Sequence, residues 1–144
     1  FFFPLSETGM DRLYRDPSER TPLLDFDFPN QHLRLAGESY PEDTATFFGP
    51  VIKALDGYLF RPDTSAVVFD LQMVYFNSSS AKALMNMFQL LEAAAERGVA
   101  VEINWYYYAD DDTMLEFGED FAEDFRHARF HLHECAPVAD STHE

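Results

Sequence analysis

The sequence contains little that a secreted or membrane protein requires. Cys135 is the only cysteine among the 144 residues, so no disulfide can form within the chain, as is usual for proteins of a reducing compartment. No apolar run approaches the roughly 18 residues of a membrane-spanning helix. The opening run of Phe1 to Phe3 is too short for a signal peptide, and no basic residue precedes it. We therefore expect a cytoplasmic protein without a membrane partner.

Basic residues are also scarce. Ten Lys and Arg residues face 26 Asp and Glu residues, which gives a formal net charge of -16. Such a field repels the phosphate backbone of nucleic acids and the surface of anionic membranes, so neither is expected as a partner. The acidic surface is suited either to a cationic face on a partner protein or to solubility alone.

Motifs for catalysis or metal binding are missing or incomplete. The chain has neither Gly-x-Ser-x-Gly nor a glycine-rich phosphate loop. Asp110 to Asp112 lacks the Gly and Glu of a calcium loop, and His131 and His133 share one strand face without further ligands. The carboxylates between Glu116 and Asp124 indicate a solvated helix face. We expect no catalytic residue, metal or cofactor; a small hydrolase using the acidic helix is the alternative.

Aromatic residues, by contrast, are abundant. The chain is 47% hydrophobic and contains fifteen Phe and seven Tyr, enough for one domain with a substantial core. Met10 resembles a natural start, so we interpret residues 1–9 as a tag or leader. Residues 10–134 are predicted to form the domain and residues 135–144 a C-terminal tail.

The apolar pattern alternates between strand and helix periods. It predicts a hairpin over residues 24–35 and strands over 66–76, 99–105 and 130–132. Helices are predicted to begin near residues 41–44, 77–80 and 110–112, with a kink or a late start at Gly49-Pro50. The order β-β-α-β-α-β-α-β predicts an α/β fold with a mixed, mostly parallel sheet of about five strands covered by helices. The apolar run 66–71 is typical of a central strand covered on both sides.

A serine cluster, Ser78 to Ser80, lies between a predicted buried strand and a predicted buried helix. This is the carboxyl edge of the sheet, where ligands of open α/β sheets usually bind. A phosphate there would meet free backbone N–H groups and the positive end of the helix dipole, adding a charge of about -1.5 to -2. The alternative is that one serine only caps the helix, because Ser is a preferred N-cap residue.

The run Trp105-Tyr106-Tyr107-Tyr108 closes another predicted strand. Trp105 continues the core face of that strand. The tyrosines are explained equally well by packing at the rim of the sheet and by a protein interface.

Four segments together resemble one known family, the SiaC regulatory phosphoproteins. They are Gly37–Glu42, Tyr75–Ser80, Asn104–Tyr107 and the acidic run Met114–Asp120. The resemblance extends over about Met10 to Leu132. It implies a single domain with a fold like that of STAS domains and bacterial anti-sigma-factor antagonists.

The resemblance also implies a function. In this family a kinase with a histidine-kinase-like ATPase fold phosphorylates the Thr or Ser after Asn, and a PP2C-type phosphatase removes the phosphate. The unphosphorylated form binds and activates a diguanylate cyclase, which raises cyclic di-GMP and promotes biofilm formation. The phosphoacceptor here would be Ser78, with Ser79 and Ser80 as neighbours. The candidate partner-binding residues are Asn77, Ser78, Ser79, Lys82, Tyr106 and Tyr107.

Three hypotheses follow. The first is a phosphorylation-switched protein-binding module that is not an enzyme. The second is a small hydrolase with an acidic or metal-dependent site. The third is an unswitched adaptor in which Ser78 only caps the helix.

Overall fold

The computed structural model describes residues 12–136 and places six strands in one sheet. In spatial order they are β1 (Leu13–Arg15), β2 (Leu23–Asp27), β3 (His32–Ser39), β4 (Ala66–Phe76), β5 (Ala100–Tyr108) and β6 (Arg129–Cys135). Strands β1 to β3 are antiparallel, and β3 to β6 are parallel. The helices are α1 (Thr44–Leu59), α2 (Ser78–Glu96) and α3 (Asp112–Ala122). The predicted mixed α/β sheet of the STAS-like kind is confirmed, as is the hairpin. The proposed leader and the tail from residue 137 lie outside the described residues.

The sheet has one strand more than the sequence predicts. Strand β1 is only three residues long, too short for the alternation of apolar and polar side chains to be recognised in the sequence. It is recognisable through its partner, since Tyr14 lies opposite Asp25 of β2 in an antiparallel register. The prediction of about five strands missed β1 for this reason.

The three helices pack on one face of the sheet. Along β4, Val67, Phe69, Leu71 and Met73 are buried, whereas the residues between them are only half-buried. The buried side faces the helices, because the ring of Phe69 lies 6.2 Å from that of Phe88 in α2. The prediction of a strand covered on both sides is therefore wrong. Within residues 12–136 no helix covers the second face, and an apolar run alone does not show how much of a strand is covered.

Helix α1 begins before Gly49-Pro50 and continues through it. Asp43 caps the helix, its carboxylate accepting a hydrogen bond from the Thr46 backbone N–H at 3.1 Å. Of the two predicted alternatives, a kink or a late start at Gly49-Pro50, the late start is wrong. Pro50 leaves the Thr46 carbonyl without its usual helical donor, but Pro50 is exposed, so water can hydrate that carbonyl. Among residues 12–136, no helix is long and apolar enough to cross a bilayer.

Helix α3 packs closely against Trp105, the largest of the fully buried side chains. The indole N–H donates a hydrogen bond to the Met114 carbonyl at 2.9 Å. A Cβ atom on Gly118 would lie 2.6 Å from Trp105, so α3 needs glycine at this contact. Phe121, one turn further along α3, lies 5.5 Å from the indole ring. The predicted core position of Trp105 is confirmed.

Candidate functional site

A one-residue bulge in β4 positions the start of α2. The β3–β4 register shifts between Met73 and Tyr75, so Val74 is the extra residue. Because side chains alternate along a strand, the extra residue reverses the sides of those that follow. Tyr75 is therefore exposed, while Phe76 turns to the helix face and is buried. The anchored Phe76 fixes the direction in which the chain enters α2.

Asn77 caps α2. Its side-chain oxygen accepts a hydrogen bond from the Ser80 backbone N–H at 2.9 Å, and its own N–H donates to the Ser39 carbonyl at 3.1 Å. Ser78 is the first residue of the helix. The alternative in which a serine caps the helix is therefore wrong. Asn is as good an N-cap residue as Ser, and the hydrogen bond to the end of β3 keeps Asn77 in this position.

The three serines of the cluster have different surroundings. Ser80 is buried, and its hydroxyl lies 2.8 Å from that of Ser39. Ser79 is exposed, but its hydroxyl donates to Asn77 at 3.2 Å and lies 2.6 Å from the Thr44 hydroxyl. Ser78 is exposed, and its hydroxyl makes no hydrogen bond within residues 12–136. The structure thus places Ser78 at a helix start with an accessible hydroxyl, as the sequence predicts.

The first turn of α2 carries no acidic residue. The backbone N–H groups of Ser78 and Ser79 point out of the helix without an acceptor from the described part of the chain. Lys82 follows Ser78 by four residues, so both lie on the same helix face. Lys82 is exposed, and none of the ion pairs formed within residues 12–136 includes it. The electrostatic potential at this helix start is therefore favourable to an anion.

A groove of about 660 Å³ opens beside these residues. Its walls include four of the six predicted partner-binding residues, Asn77, Ser78, Ser79 and Lys82. Its apolar lining comes from Phe76, from Met85 on α2, which is 42% exposed, and from Phe117 on α3. Sequence reasoning missed all three. The available signal was Met85, an apolar residue that lies off the helical face shared by Leu84, Phe88 and Leu91.

The other two predicted partner-binding residues, Tyr106 and Tyr107, lie away from this groove. Tyr106 faces the side of the sheet opposite the helices and stacks on His133 at 4.7 Å. Tyr107 is half-buried on the helix side beside β6, where burial and the neighbouring Glu134 raise the pKa of its phenol. A role for the two tyrosines in binding stays a prediction.

The acidic and histidine-rich segments do not converge. His131 and His133 share one face of β6, as predicted, with ring centroids 6.1 Å apart. His131 lies 3.6 Å from Glu102, whereas His133 hydrogen-bonds to Asn104 at 2.8 Å. Asp111 of the Asp110–Asp112 run caps α3. In the part of the chain that the structure describes, no group of three or more His, Cys, Asp or Glu side chains could hold a metal ion.

Comparison with known proteins gives consistent matches. The family model described as "SiaC family regulatory phosphoprotein" matches residues 15–135. A protein of Pseudomonas aeruginosa strain UCBPP-PA14, described as uncharacterized, is 33% identical over 80% of this chain and 90% of its own length.

Two crystal structures from Pseudomonas aeruginosa are similar to this chain. Apo-SiaC is 32% identical with a TM-score of 0.77, over 88% of this chain and all of its own. The second structure holds the diguanylate cyclase SiaD in complex with its activator SiaC. Its matched chain is 31% identical with a TM-score of 0.81, over 85% of this chain and 99% of its own.

Proposed function

Because this chain belongs to the SiaC family of regulatory phosphoproteins, we propose that it is a phosphorylation-switched protein-binding module with no catalytic activity of its own. The bare form binds and activates a diguanylate cyclase of its own organism, as the SiaC of the similar complex is described as doing. A kinase with a histidine-kinase-like ATPase fold adds the phosphate to Ser78, and a PP2C-type phosphatase removes it.

The observation that carries this proposal is the position of Ser78. Its exposed hydroxyl is the only one of the three serine hydroxyls without a hydrogen bond inside residues 12–136. Asn77 caps the helix, so a phosphate can be added to Ser78 without removing the cap. The buried Ser80 is closed to a kinase. Ser78 can therefore change its charge while the fold is kept.

A phosphate on Ser78 would reverse the sign of the charge at the groove. Lys82 is the only charged residue in the lining beside Ser78. A phosphate brings about -1.5 to -2 charge at neutral pH, which exceeds the single positive charge of Lys82. It would also sit four residues before Lys82, the favourable order for an ion pair on a helix. A partner that docks on the bare groove would then meet a negative surface with Lys82 withdrawn.

Two other hypotheses have less support. The unswitched adaptor requires Ser78 to cap α2, and Asn77 occupies that position. The hydrolase requires converging carboxylates or metal ligands, and the described residues provide no observation in its favour.

The test compares four forms of the protein in titration calorimetry with the diguanylate cyclase encoded in the same genome. They are the bare protein, protein with phosphoserine installed at position 78, Ser78→Ala and Ser78→Asp. We expect Ser78→Ala to bind like the bare protein and phosphoserine to weaken binding about tenfold or more, which is roughly 1.4 kcal/mol. Ser78→Asp should weaken it less, because a carboxylate has less charge and fewer oxygens than a phosphate.

Ser65→Asp is the matched control, since it adds the same charge at an exposed serine just before β4, at the opposite end of that strand from Ser78. It should leave the affinity unchanged. Equal affinity for the phosphorylated and bare proteins would refute the switch. Mass spectrometry of kinase-treated protein provides a second check, because the proposal requires the phosphate on Ser78 and not on Ser79 or Ser80.

A further inference from the structure

Ser39 and Ser80 form a buried hydroxyl pair where the end of β3 meets the start of α2. Among residues 12–136 they are the only buried residues of a polar or charged type, and their hydroxyl oxygens lie 2.8 Å apart. A hydroxyl buried without a partner costs free energy, but two alanines at these positions would bury no polar side chain at all. Stability alone therefore does not require this pair.

The irregular pairing of β3 with β4 brings Ser39 to this junction. The register shifts between Gly37 and Glu38, and Gly37 has a φ of 110°, in the left-handed region that favours glycine. After the shift Ser39 lies opposite Phe76, and both residues are buried. Ser39, the last residue of β3, therefore lies beside the turn that leads into α2.

The residues on either side of Ser78 are tied to elements outside α2. The Asn77 N–H donates a hydrogen bond to the Ser39 carbonyl at 3.1 Å. The Ser79 hydroxyl lies 2.6 Å from the hydroxyl of Thr44, the first residue of α1. The Ser78 hydroxyl makes no hydrogen bond within residues 12–136. Its position is therefore set by its neighbours and not by a bond of its own.

Phosphoryl transfer depends on where the accepting hydroxyl lies. In the proposed reaction the Ser78 oxygen bonds to the γ-phosphorus of ATP, the bond from that phosphorus to the β-phosphate oxygen breaks, and ADP leaves. The hydroxyl proton passes to a base of the kinase. The attacking and leaving oxygens must lie roughly in line with the phosphorus. A displacement of about 1 Å can slow such a step about 100-fold.

We propose that Ser39 and Thr44 are positioning residues for the phosphorylation of Ser78. They hold the turn at residues 77–80 so that the Ser78 hydroxyl has one orientation when the kinase binds. Ser39 lies in Gly37–Glu42, one of the four segments that resemble the SiaC family, and Thr44 follows that segment by two residues. The inference rests on the proposed phosphorylation and gives this segment a part in it.

The experiment measures single-turnover phosphorylation of the full chain with ATP and an excess of the kinase encoded in the same genome. The maximal rate reports the position of the hydroxyl, and the kinase concentration at half the maximal rate reports docking. We expect the double variant Ser39→Ala, Ser80→Ala to lower the maximal rate about tenfold. The half-maximal kinase concentration should stay within about twofold of the wild-type value.

The two single variants separate positioning from a purely structural role. Ser39→Ala and Ser80→Ala each leave one buried hydroxyl without its partner, so each should lower the midpoint of urea unfolding. The double variant leaves no unpaired hydroxyl, and its midpoint should return toward that of wild type. A pair that only stabilised the fold would let the phosphorylation rate recover with the midpoint. A pair that positions Ser78 leaves the rate of the double variant low.

Thr44→Val tests the second tie, because valine keeps the shape of threonine without the hydroxyl. The maximal rate should fall by a smaller factor than in the double variant, since the hydroxyls of Thr44 and Ser79 are exposed and water can replace the lost partner. Thr46→Val is the matched control. The Thr46 hydroxyl lies in the same first turn of α1, but it donates to Asp43 at 2.8 Å. Its removal should leave the rate unchanged.

Three results would overturn the inference. They are a wild-type maximal rate in the double variant, a rate that follows the urea midpoint through the single and double variants, and equal rates for Thr44→Val and Thr46→Val.

The outcome is separable from that of the proposed switch, which is judged on the wild-type chain. A wild-type chain that the kinase does not phosphorylate at Ser78 would reject the switch and the positioning role together. Slow phosphorylation of the double variant, together with cyclase binding that phosphoserine does not change, would retain the positioning role and reject the switch. A double variant phosphorylated at the wild-type rate would reject only the positioning role.

Discussion

Two sets of backbone N–H donors lie beside α2, and they differ in whether the described chain supplies an acceptor for them. At residues 126–128, before β6, the chain's own Glu92 supplies the acceptor. Its carboxylate accepts from the N–H groups of Arg126 at 3.0 Å, His127 at 3.0 Å and Ala128 at 2.9 Å. At the start of α2, the N–H groups of Ser78 and Ser79 have no acceptor within residues 12–136.

The pKa of Glu92 shows how strongly the first set binds a negative charge. Partial burial opposes ionisation of the carboxyl group. The hydrogen bonds from Ala128, from the His127 side chain and from the Arg126 backbone outweigh that opposition and hold the pKa of Glu92 at about 2, below the usual 4.5. The arrangement is a nest of donors filled by a permanent anion.

The caps of the three α-helices show which helix start has no negative charge beside it. Carboxylates cap the other two α-helices, Asp43 at α1 and Asp111 at α3. The cap of α2 is the neutral Asn77. In a chain with 26 acidic residues, the start of α2 is thus the one α-helix start described here without a carboxylate. The proposed phosphorylation of Ser78 would bring a negative charge to a helix start that has no fixed one.

The largest effect on stability should come from removing the Glu92 carboxylate, which accepts hydrogen bonds from residues 126–128. We expect Glu92→Leu to lower the free energy of unfolding by about 2 kcal/mol, because hydrogen bonds to charged groups contribute about 1.5–3 kcal/mol and water can replace part of them at this half-buried site. Glu92→Gln should lose less, since one oxygen remains. Urea denaturation measures both.

Glu96→Gln is the matched control, one turn further along α2 and exposed. It should change the unfolding free energy by no more than about 0.5 kcal/mol, as most surface substitutions do. Equal costs for the two positions would show that the Glu92 hydrogen bonds contribute no special stability.

A pH series gives the comparison a second test. The pKa of Glu92 is lower in the folded than in the unfolded protein, so its ionised form stabilises the fold above about pH 4.5 and this contribution is lost as the pH falls toward about 2. The difference in unfolding free energy between wild type and Glu92→Gln should therefore shrink between pH 5 and pH 2. Other carboxylates cancel in that difference. A difference that does not change with pH would contradict the lowered pKa.

The smallest effects on stability are expected at the start of α2, where the N–H groups of Ser78 and Ser79 have no acceptor within residues 12–136. Asn77→Ala should cost about 1 kcal/mol, the usual value of an N-cap side chain. Ser78→Ala should change the free energy of unfolding by less than about 0.5 kcal/mol, because the Ser78 hydroxyl makes no hydrogen bond within the described chain. Thermal or urea unfolding distinguishes the two. If Ser78→Ala cost as much as Asn77→Ala, Ser78 would be part of the cap, and the position would not be free for a phosphate.

Much of this arrangement could be predicted from local pattern. The alternation of Leu24, Phe26, Leu33 and Leu35 predicted the hairpin, and all four are buried. Gly98 lies just beyond α2 with a φ of 112°, the left-handed conformation in which a glycine commonly ends a helix. These features depend on nearest neighbours in the chain, where steric and hydrophobic rules act directly.

The candidate site could be predicted only in part. The sequence placed the serines at a helix start, but it did not distinguish Asn77 from Ser78 as the cap, because both are good N-cap residues. The choice depends on Ser39 of β3, 38 residues earlier in the chain, whose carbonyl accepts a hydrogen bond from the Asn77 N–H. The separate surroundings of Ser79 and Ser80 likewise depend on Thr44 and Ser39.

The sequence by itself determined the class of fold, the order of its main elements, the acidic surface and the position of Ser78 at the start of a buried helix. Periodicity, composition and motif carry that information locally. The tertiary structure decided which face of the sheet the helices cover, where the bulge at Val74 turns Phe76 inward, and that Phe117 of α3 lies beside Lys82 and Met85. Those facts come from residues far apart in the chain, whose contacts exist only once the sheet has formed.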